Sequence, residues 1–429
     1  MDIPELDELI IRQLNLQDLS RCARVSKKWH RIFIPYLWRD LTDATPAVAK
    51  MVLEDYRLEK QHHNSLEAPH GEQQASPSVV SPPRYLAKYG HWIRELPDAE
   101  VFFGDFDWVC FSHMEQHPLD PMAPTAGKLM RQLYKQCPNL QIDHLILSLF
   151  FIKTEDILKV VTDYLVPRAR HLQIGDTSDD PGISPLKTKH LLSYCSSAVE
   201  ELTLQATISR CEEETEYHQT ESRPWTQLKR LNVLDRQSLD ANDFWEWLWK
   251  RCSAVEELQV EYVGMIRQSL VEGIAAHMPH LNNIHLKHPT REDTEAILSI
   301  RQQGWKKVSI SLSDFPRFPI HLMVYSTALE RLAFDGVHGV TDKDIVQLLT
   351  CCPNLRSFSV FHGLRPRSGQ SGGIDAQFFI DQDHDSGSLK PWMCETSLRE
   401  LEIRIQGIPR PDVKKAGFIE DYPGHGREI

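Results

Sequence analysis

The side chains able to do chemistry are scattered along this sequence. It holds nine cysteines, none in a Cys-x-x-Cys pair; Cys351 and Cys352 are adjacent. That spacing builds no zinc site. His280, His285 and His288 fall near one another without Cys or Asp partners, and read as structural or solvated side chains. His62 and His63 stand in a polar tract and carry no metal pattern. Ser368-Gly369-Gln370-Ser371-Gly372-Gly373 is glycine-rich, but no Gly-Lys-Ser/Thr follows, so it is no phosphate cradle. Asp381-Gln382-Asp383-His384-Asp385 lacks the glycine and closing glutamate of a calcium loop. No zinc-protease, Walker or dinucleotide fingerprint is present, and no nucleophile elbow is expected. These residues predict no catalysis, no metal and no cofactor.

Bulk properties narrow the class further. The chain has 429 residues, which suits two or three domains or one repeat array. Its formal charge is −12 and no long Lys/Arg block occurs, so a nucleic-acid partner is not expected. Met1-Asp2-Ile3-Pro4 opens no basic and then apolar leader, and no run of 18 apolar residues exists. The expectation is therefore no secretion signal, no membrane span, free buried thiols, and a location in cytoplasm or nucleus.

Positions 3–41 read as two or three short helices. Leu6, Leu9, Ile10 and Leu14 recur at helical spacing, after Pro4 in a first turn. Asn15 is placed to cap a second helix, with Asp18 near its positive end. Leu19, Cys22, Val25, Trp29 and Ile32 form the next stripe; Pro35 interrupts it, and Leu37, Trp38 and Leu41 follow. A unit of about 40 residues with so many large apolar side chains rarely stands alone. It must pack on the rest of the chain or on another protein, and the helical pattern leaves both open.

The run Ile3-Pro4-Glu5-Leu6…Leu9-Ile10…Asp18-Leu19…Val25-Ser26-Lys27-Lys28-Trp29…Leu37-Trp38 resembles an F-box. Ile3 stands where that family has Leu, and Ser26 where it has Cys. The resemblance covers about a tenth of the chain. It implies binding to a Skp-family adaptor and, through it, to a cullin. Ile3, Pro4, Leu6, Leu9, Ile10, Leu14, Leu19, Val25, Trp29, Leu37 and Trp38 are the candidates for that surface. Pro4, Leu6, Leu9, Ile10 and Leu19 are the ones expected to face the adaptor. Val25, Trp29, Leu37 and Trp38 suit adaptor contact and internal packing equally.

Residues 43–58 predict one more helix, and Lys60 to Arg84 is polar, Pro/Ser-rich and aperiodic, as in a disordered linker. Beyond residue 90 a short template repeats: apolar, two variable, apolar, one variable, apolar. It appears at Val199-Leu202-Leu204, Leu228-Leu231-Val233, Val255-Leu258-Val260, Leu281-Ile284-Leu286, Trp305-Val308-Ile310, Leu329-Leu332-Phe334, Leu355-Phe358-Val360 and Leu398-Leu401-Ile403. Looser copies stand at Leu140-Leu145-Leu147, Leu172-Ile174 and Ile93-Leu96. The middle anchors from 172 to 358 lie 24 to 30 residues apart. Residues two apart share a strand face, and such short strands are stable only when stacked in parallel, each returning through a helix. Thr154, Asp240 and Thr341 open three of those returns.

Cys137, Cys195, Cys252 and Cys352 recur between helix and strand. This resembles the cysteine-containing class of leucine-rich repeats, often found behind an F-box. The expected fold is α/β: short N-terminal F-box helices (1–41), a helix and disordered linker (42–89), a leucine-rich-repeat solenoid (90–406), and a tail or incomplete cap (407–429). In that solenoid the parallel sheet is concave and the helices convex. Polar residues beside the inward anchors are candidates for target contact: Glu201, Thr203, Arg230, Asn232, Glu257, Gln259, Asn283, His285, Lys307, Ser309, Arg331 and Ser359. The resemblances imply a non-catalytic, substrate-recruiting subunit of a ubiquitin ligase that holds an unknown target protein. The alternative is a repeat scaffold acting outside any ligase.

Overall fold

The computed structural model describes residues 11, 13–42, 45–67, 85–96, 104, 106–110, 112, 125–147, 155–175, 185–195, 198–205, 224–234, 242–261, 267–301, 304–313, 315, 318–323, 326–337, 339–362, 394 and 396–405. The chain divides into two units: Met1–Asp179 with His190–Val199, and Asp180–Lys189 with Glu200–Ile429. The boundaries expected at 41/42 and 89/90 both fall inside the first unit.

In the first unit, helix α1 (Leu16–Ala23) starts at Asn15, whose side chain accepts from the Asp18 N–H at 2.9 Å. Helix α2 (Lys27–Leu37) starts at Ser26, whose hydroxyl accepts from the Trp29 N–H at 3.2 Å. Each cap satisfies an amide that the helix leaves unpaired. Pro35 lies inside α2 and does not interrupt it. It sits in the last turn, where its missing N–H costs one bond, and the Trp38 N–H still reaches the Ile34 carbonyl at 3.1 Å. Helix α3 (Thr45–Glu67) runs past Lys60, into the stretch expected to be linker. Polar contacts hold it: the Asp55 carboxylate accepts from the Leu86 N–H at 2.8 Å, and Gln132 donates to Glu59 at 2.5 Å. The remainder of the expected linker, 68–84, lies outside the described residues. Helices α4 (Tyr85–Tyr89) and α5 (Ala126–Gln136), strand β1 (Ile142–Leu147), helix α6 (Glu155–Val160) and strand β2 (Ala169–Gly175) follow. β1 and β2 are parallel, with Leu145 opposite Leu172 and Leu147 opposite Ile174, all buried.

The second unit is a strand–helix series: β3 (Glu201–Gln205), β4 (Arg230–Val233), α7 (Asn242–Trp249), β5 (Glu257–Glu261), α8 (Arg267–His277), β6 (Asn283–Lys287), α9 (Arg291–Ile300), β7 (Lys307–Ser311), β8 (Arg331–Asp335), α10 (Asp342–Cys351), β9 (Ser357–His362) and β10 (Glu400–Ile405). These strands pair in sequence order, every pair parallel, as in a solenoid. Each strict copy of the sequence template lands on one strand, so the apolar anchors align in rows. The row from Leu202 to Phe358 and the row from Leu204 to Val360 are fully buried. Burying such a side chain is worth about 1.5–3 kcal/mol, so the rows themselves hold the register.

The links between strands are equally regular. Thr290 with Asp293 and Thr341 with Asp344 form capping boxes at the starts of α9 and α10. Buried thiols close several returns: the Cys252 Sγ donates to the Leu248 carbonyl, Cys352 to Met323, and Cys394 to Leu349. His288, Leu312 and Gly336 follow three successive strands with φ of 53°, 53° and 62°. Their amides extend the ladder to the carbonyls of Ser311, Asp335 and Phe361 at 3.0, 2.7 and 2.8 Å.

Candidate interaction surfaces

In the N-terminal helices, Ile11, Leu19, Ala23, Phe33 and Ile34 form a small core, flanked by Leu14, Cys22, Ile32, Tyr36, Leu37, Trp38, Tyr89 and Trp92. Leu19, expected to face the adaptor, is 5% exposed and belongs to this core. It fills the angle between α1 and α2. Leu14 and Leu37 are half-buried against the same core. Trp38 stacks on Tyr89 at 4.7 Å, and Tyr89 on Trp92 at 5.7 Å, so this indole packs internally. Among the described candidates, two are presented to solvent. Val25, in the turn between α1 and α2, is 70% exposed, and Trp29, edge-on to Phe33 at 5.5 Å, is 41% exposed. An exposed valine and, four residues on, an exposed tryptophan over a packed core suit contact with another protein. Ile3, Pro4, Leu6, Leu9 and Ile10 lie outside the described residues.

The strand residues between the buried rows form a second surface, in the second unit. Glu201, Arg230, Glu257, Asn283, Lys307 and Arg331 share one row, completed by Ser357 and Glu400. Thr203, Asn232, Gln259, His285, Ser309 and Ser359 share the next, completed by Ala333 and Glu402. Sequence reasoning missed those four, although the alternation that located their neighbours locates them too.

Several of these groups already hold one another. Arg230 pairs with Glu201 at 3.3 Å, and Asn232 donates to Glu201 and Thr203 at 3.2 and 3.0 Å. Lys287 pairs with Glu261 at 2.9 Å. His285 Nε2 meets Ser311 Oγ at 2.9 Å. Burial, then the Lys287 charge, push the His285 pKa below the usual histidine range, against the opposing pull of Asp335, Glu257 and Glu261. It is therefore neutral at neutral pH. Asn283 Oδ1 is buried with no hydrogen-bond partner among the described residues.

No three His, Cys, Asp or Glu side chains among the described residues converge as a metal site. One expectation is corrected by the residues themselves: Gly369-Gln370-Ser371-Gly372-Gly373 does have Gly-x-Ser-x-Gly spacing. A nucleophile elbow needs a strand entering that serine and a helix leaving it. The motif, the acidic run 381–385, residues 207–223 and the expected tail 407–429 lie outside the described residues. No described helix is long and apolar enough to cross a membrane.

A comparison of the chain with curated proteins gives no match. An F-box-like family model matches residues 4–43, the stretch that contains α1, α2, Val25 and Trp29, and the chain thus carries an F-box-like domain at that end.

Proposed function

We propose that this chain is the substrate-receptor subunit of a Skp-cullin-F-box-type ubiquitin ligase in cytoplasm or nucleus. F-box-like domains in general bind Skp-type adaptors, and the observation that carries the reading is the exposed Val25–Trp29 patch inside residues 4–43. The strand–helix series is read as leucine-rich repeats of the cysteine-containing class. Its period of 24 to 30 residues and the recurrent thiols at Cys137, Cys252 and Cys352 support that reading. The strand rows between the buried anchors, half-buried for the most part, hold the target protein, and the cullin is reached through the adaptor. The chain itself breaks no bond. It raises the local concentration of target near the conjugating enzyme, which makes transfer nearly intramolecular.

The test is co-expression with a Skp-type adaptor and pull-down, comparing the native chain with Val25→Asp/Trp29→Ala. Both side chains lie outside the buried core of Ile11, Leu19, Ala23, Phe33 and Ile34, and circular dichroism checks that the fold is retained. The native chain is expected to form a stable complex and the double variant to lose at least ten-fold in affinity, since interface tryptophans commonly carry about 2 kcal/mol or more. A folded native chain that captures no adaptor sinks the ligase role and leaves a repeat scaffold. Equal capture by both chains moves the adaptor surface elsewhere.

A further inference from the structure

The N-terminal ends of the strands in the second unit carry charge in an ordered way. One residue before each strand, a backbone carbonyl accepts two amides from the next repeat. Glu200 O takes Lys229 N and Arg230 N, and the same step recurs at Lys229, Glu256, Asn282, Lys306, Glu330 and Arg356. This double rung pins the rim residues at the strand spacing of about 4.8 Å. Their side chains therefore project from a fixed backbone.

Along β3 to β5 the rim and first strand positions hold Glu200, Glu201, Glu256 and Glu257 against Lys229 and Arg230. From β7 to β10 the balance inverts: Lys306, Lys307, Arg331, Arg356 and Arg399 stand against Glu330 and Glu400. Of those five cations, Arg356 alone is held in an ion pair among the described residues, with Glu330 at 3.7 Å. Four of the five are exposed and Lys307 is half-buried. The chain as a whole carries −12, so this rim opposes the general field. Beside it the sheet offers a low floor of Ser309, Ala333 and Ser359.

We infer that the β7–β10 rim is a docking site for an acidic segment of a partner protein, a stretch of Asp and Glu side chains in extended conformation running across the strands. The inference rests on the reading of this sheet as the target-holding face. The cations span about 14 Å across four strands, the length of four or five extended residues. The opposite strand ends carry the exposed carboxylate of Asp335 at β8, about 13 Å along the strand, so an acidic chain lies along the basic rim and not down the sheet. Arginine forks grip carboxylates through paired hydrogen bonds, and the small floor lets the peptide backbone approach. A nucleic acid is disfavoured by the formal charge of −12 and by rim and floor positions without an aromatic side chain, the half-buried Phe361 standing two residues beyond Ser359 toward the far end of β9.

The probe is a fluorescein-labelled peptide of about eight residues alternating glutamate and serine, titrated into the full chain by anisotropy at low salt. A peptide with glutamine for glutamate is the control. The acidic peptide is expected to bind, at least ten-fold tighter than the control, and to weaken as salt rises. Lys307→Glu/Arg331→Glu is expected to weaken it ten-fold or more, whereas Lys250→Glu/Lys343→Glu, at exposed positions at the end of α7 and in α10, leaves it within two-fold. Equal binding of the neutral peptide, equal loss in both reversal variants, or tighter binding of a single-stranded oligonucleotide overturns the inference. Adaptor capture is scored separately on the same protein. Peptide failure with capture intact removes only this site; capture failure with peptide binding intact removes only the ligase role.

Discussion

Gly273 in α8 is expected to resist replacement by alanine, against helix propensity. In an ordinary helix interior, Gly→Ala gains about 1 kcal/mol. Here a Cβ would lie 2.5 Å from both Cγ and Cδ1 of Trp249, and 2.9 Å from its Cβ. Carbon atoms settle at about 3.5–4.0 Å, so the ring must withdraw by about 1 Å. It has nowhere to go. Trp249 is 1% exposed, stacks on Trp245 at 5.4 Å, and donates its Nε1–H to Ser269 on α8 at 3.0 Å. Overpacking of that kind costs about 1–3 kcal/mol, which exceeds or cancels the propensity gain. Gly273→Ala should therefore destabilise the chain by about 1 kcal/mol, lowering the urea midpoint followed by circular dichroism. In a Trp249→Leu background the obstruction is gone, and the same change should stabilise by about 1 kcal/mol, a coupling of about 2 kcal/mol. A raised midpoint for Gly273→Ala alone would refute the close approach of α7 to α8.

Two further outcomes follow from the backbone and from burial. Leu312, 48% exposed with φ of 53°, occupies a conformation that costs an L-residue about 1 kcal/mol, so Leu312→Gly should raise the melting temperature, while Gly336→Ala, at φ of 62°, should lower it; a destabilising Leu312→Gly would mean that its side chain outweighs the strain. Burial pushes the Cys137 thiol up from 9.0 to about 12, against the pull of Arg168, and pushes Cys252 up as well. The folded thiol stays protonated where the unfolded one ionises, so its contribution is whole below about pH 9 and fades toward pH 12, by about 1.4 kcal/mol per pH unit. Between pH 8 and 10 the native chain should lose about 1.4 kcal/mol more stability than Cys137→Ala in urea titrations; parallel losses would contradict the buried state of this thiol.

The strand series was legible because one physical requirement writes it. A parallel ladder with one buried face needs apolar residues two apart, and stacking needs them at a steady repeat. Both periods survive in Leu202-Leu204 through Phe358-Val360. The helices were less legible. The stripe holding Leu19 marks a face without saying whether chain or partner covers it. Helix α3 outruns its apolar pattern because extending an existing helix is cheap, and because Asp55 and Glu59 find partners 31 and 73 residues away. Nothing local in the sequence announces those partners. Tyr89 and Trp92 escaped notice for the same reason: their role depends on Trp38, half a hundred residues earlier.

The residues on either side of the expected linker pair with each other. The Arg39 carbonyl accepts from Arg94 N at 2.8 Å and Glu95 N at 3.0 Å, and Leu41 N donates back to Glu95 O at 3.2 Å. Arg94 O then accepts from Gln141 N at 2.9 Å, just before β1. One carbonyl taking two successive amides is the rung found at Glu200, Lys229 and each later repeat. Residues 39–41 therefore pair with 94–95 in the same manner within the first unit, and the Asp40–Glu95 bridge is parallel. The Trp38–Tyr89–Trp92 stack closes the angle between helices and strands. Under the proposed function, the adaptor-binding helices and the first strands of the repeats move as one piece. Lengthening the chain at 68–84 should then leave that geometry unchanged, whereas breaking the Trp38–Tyr89 stack should loosen it.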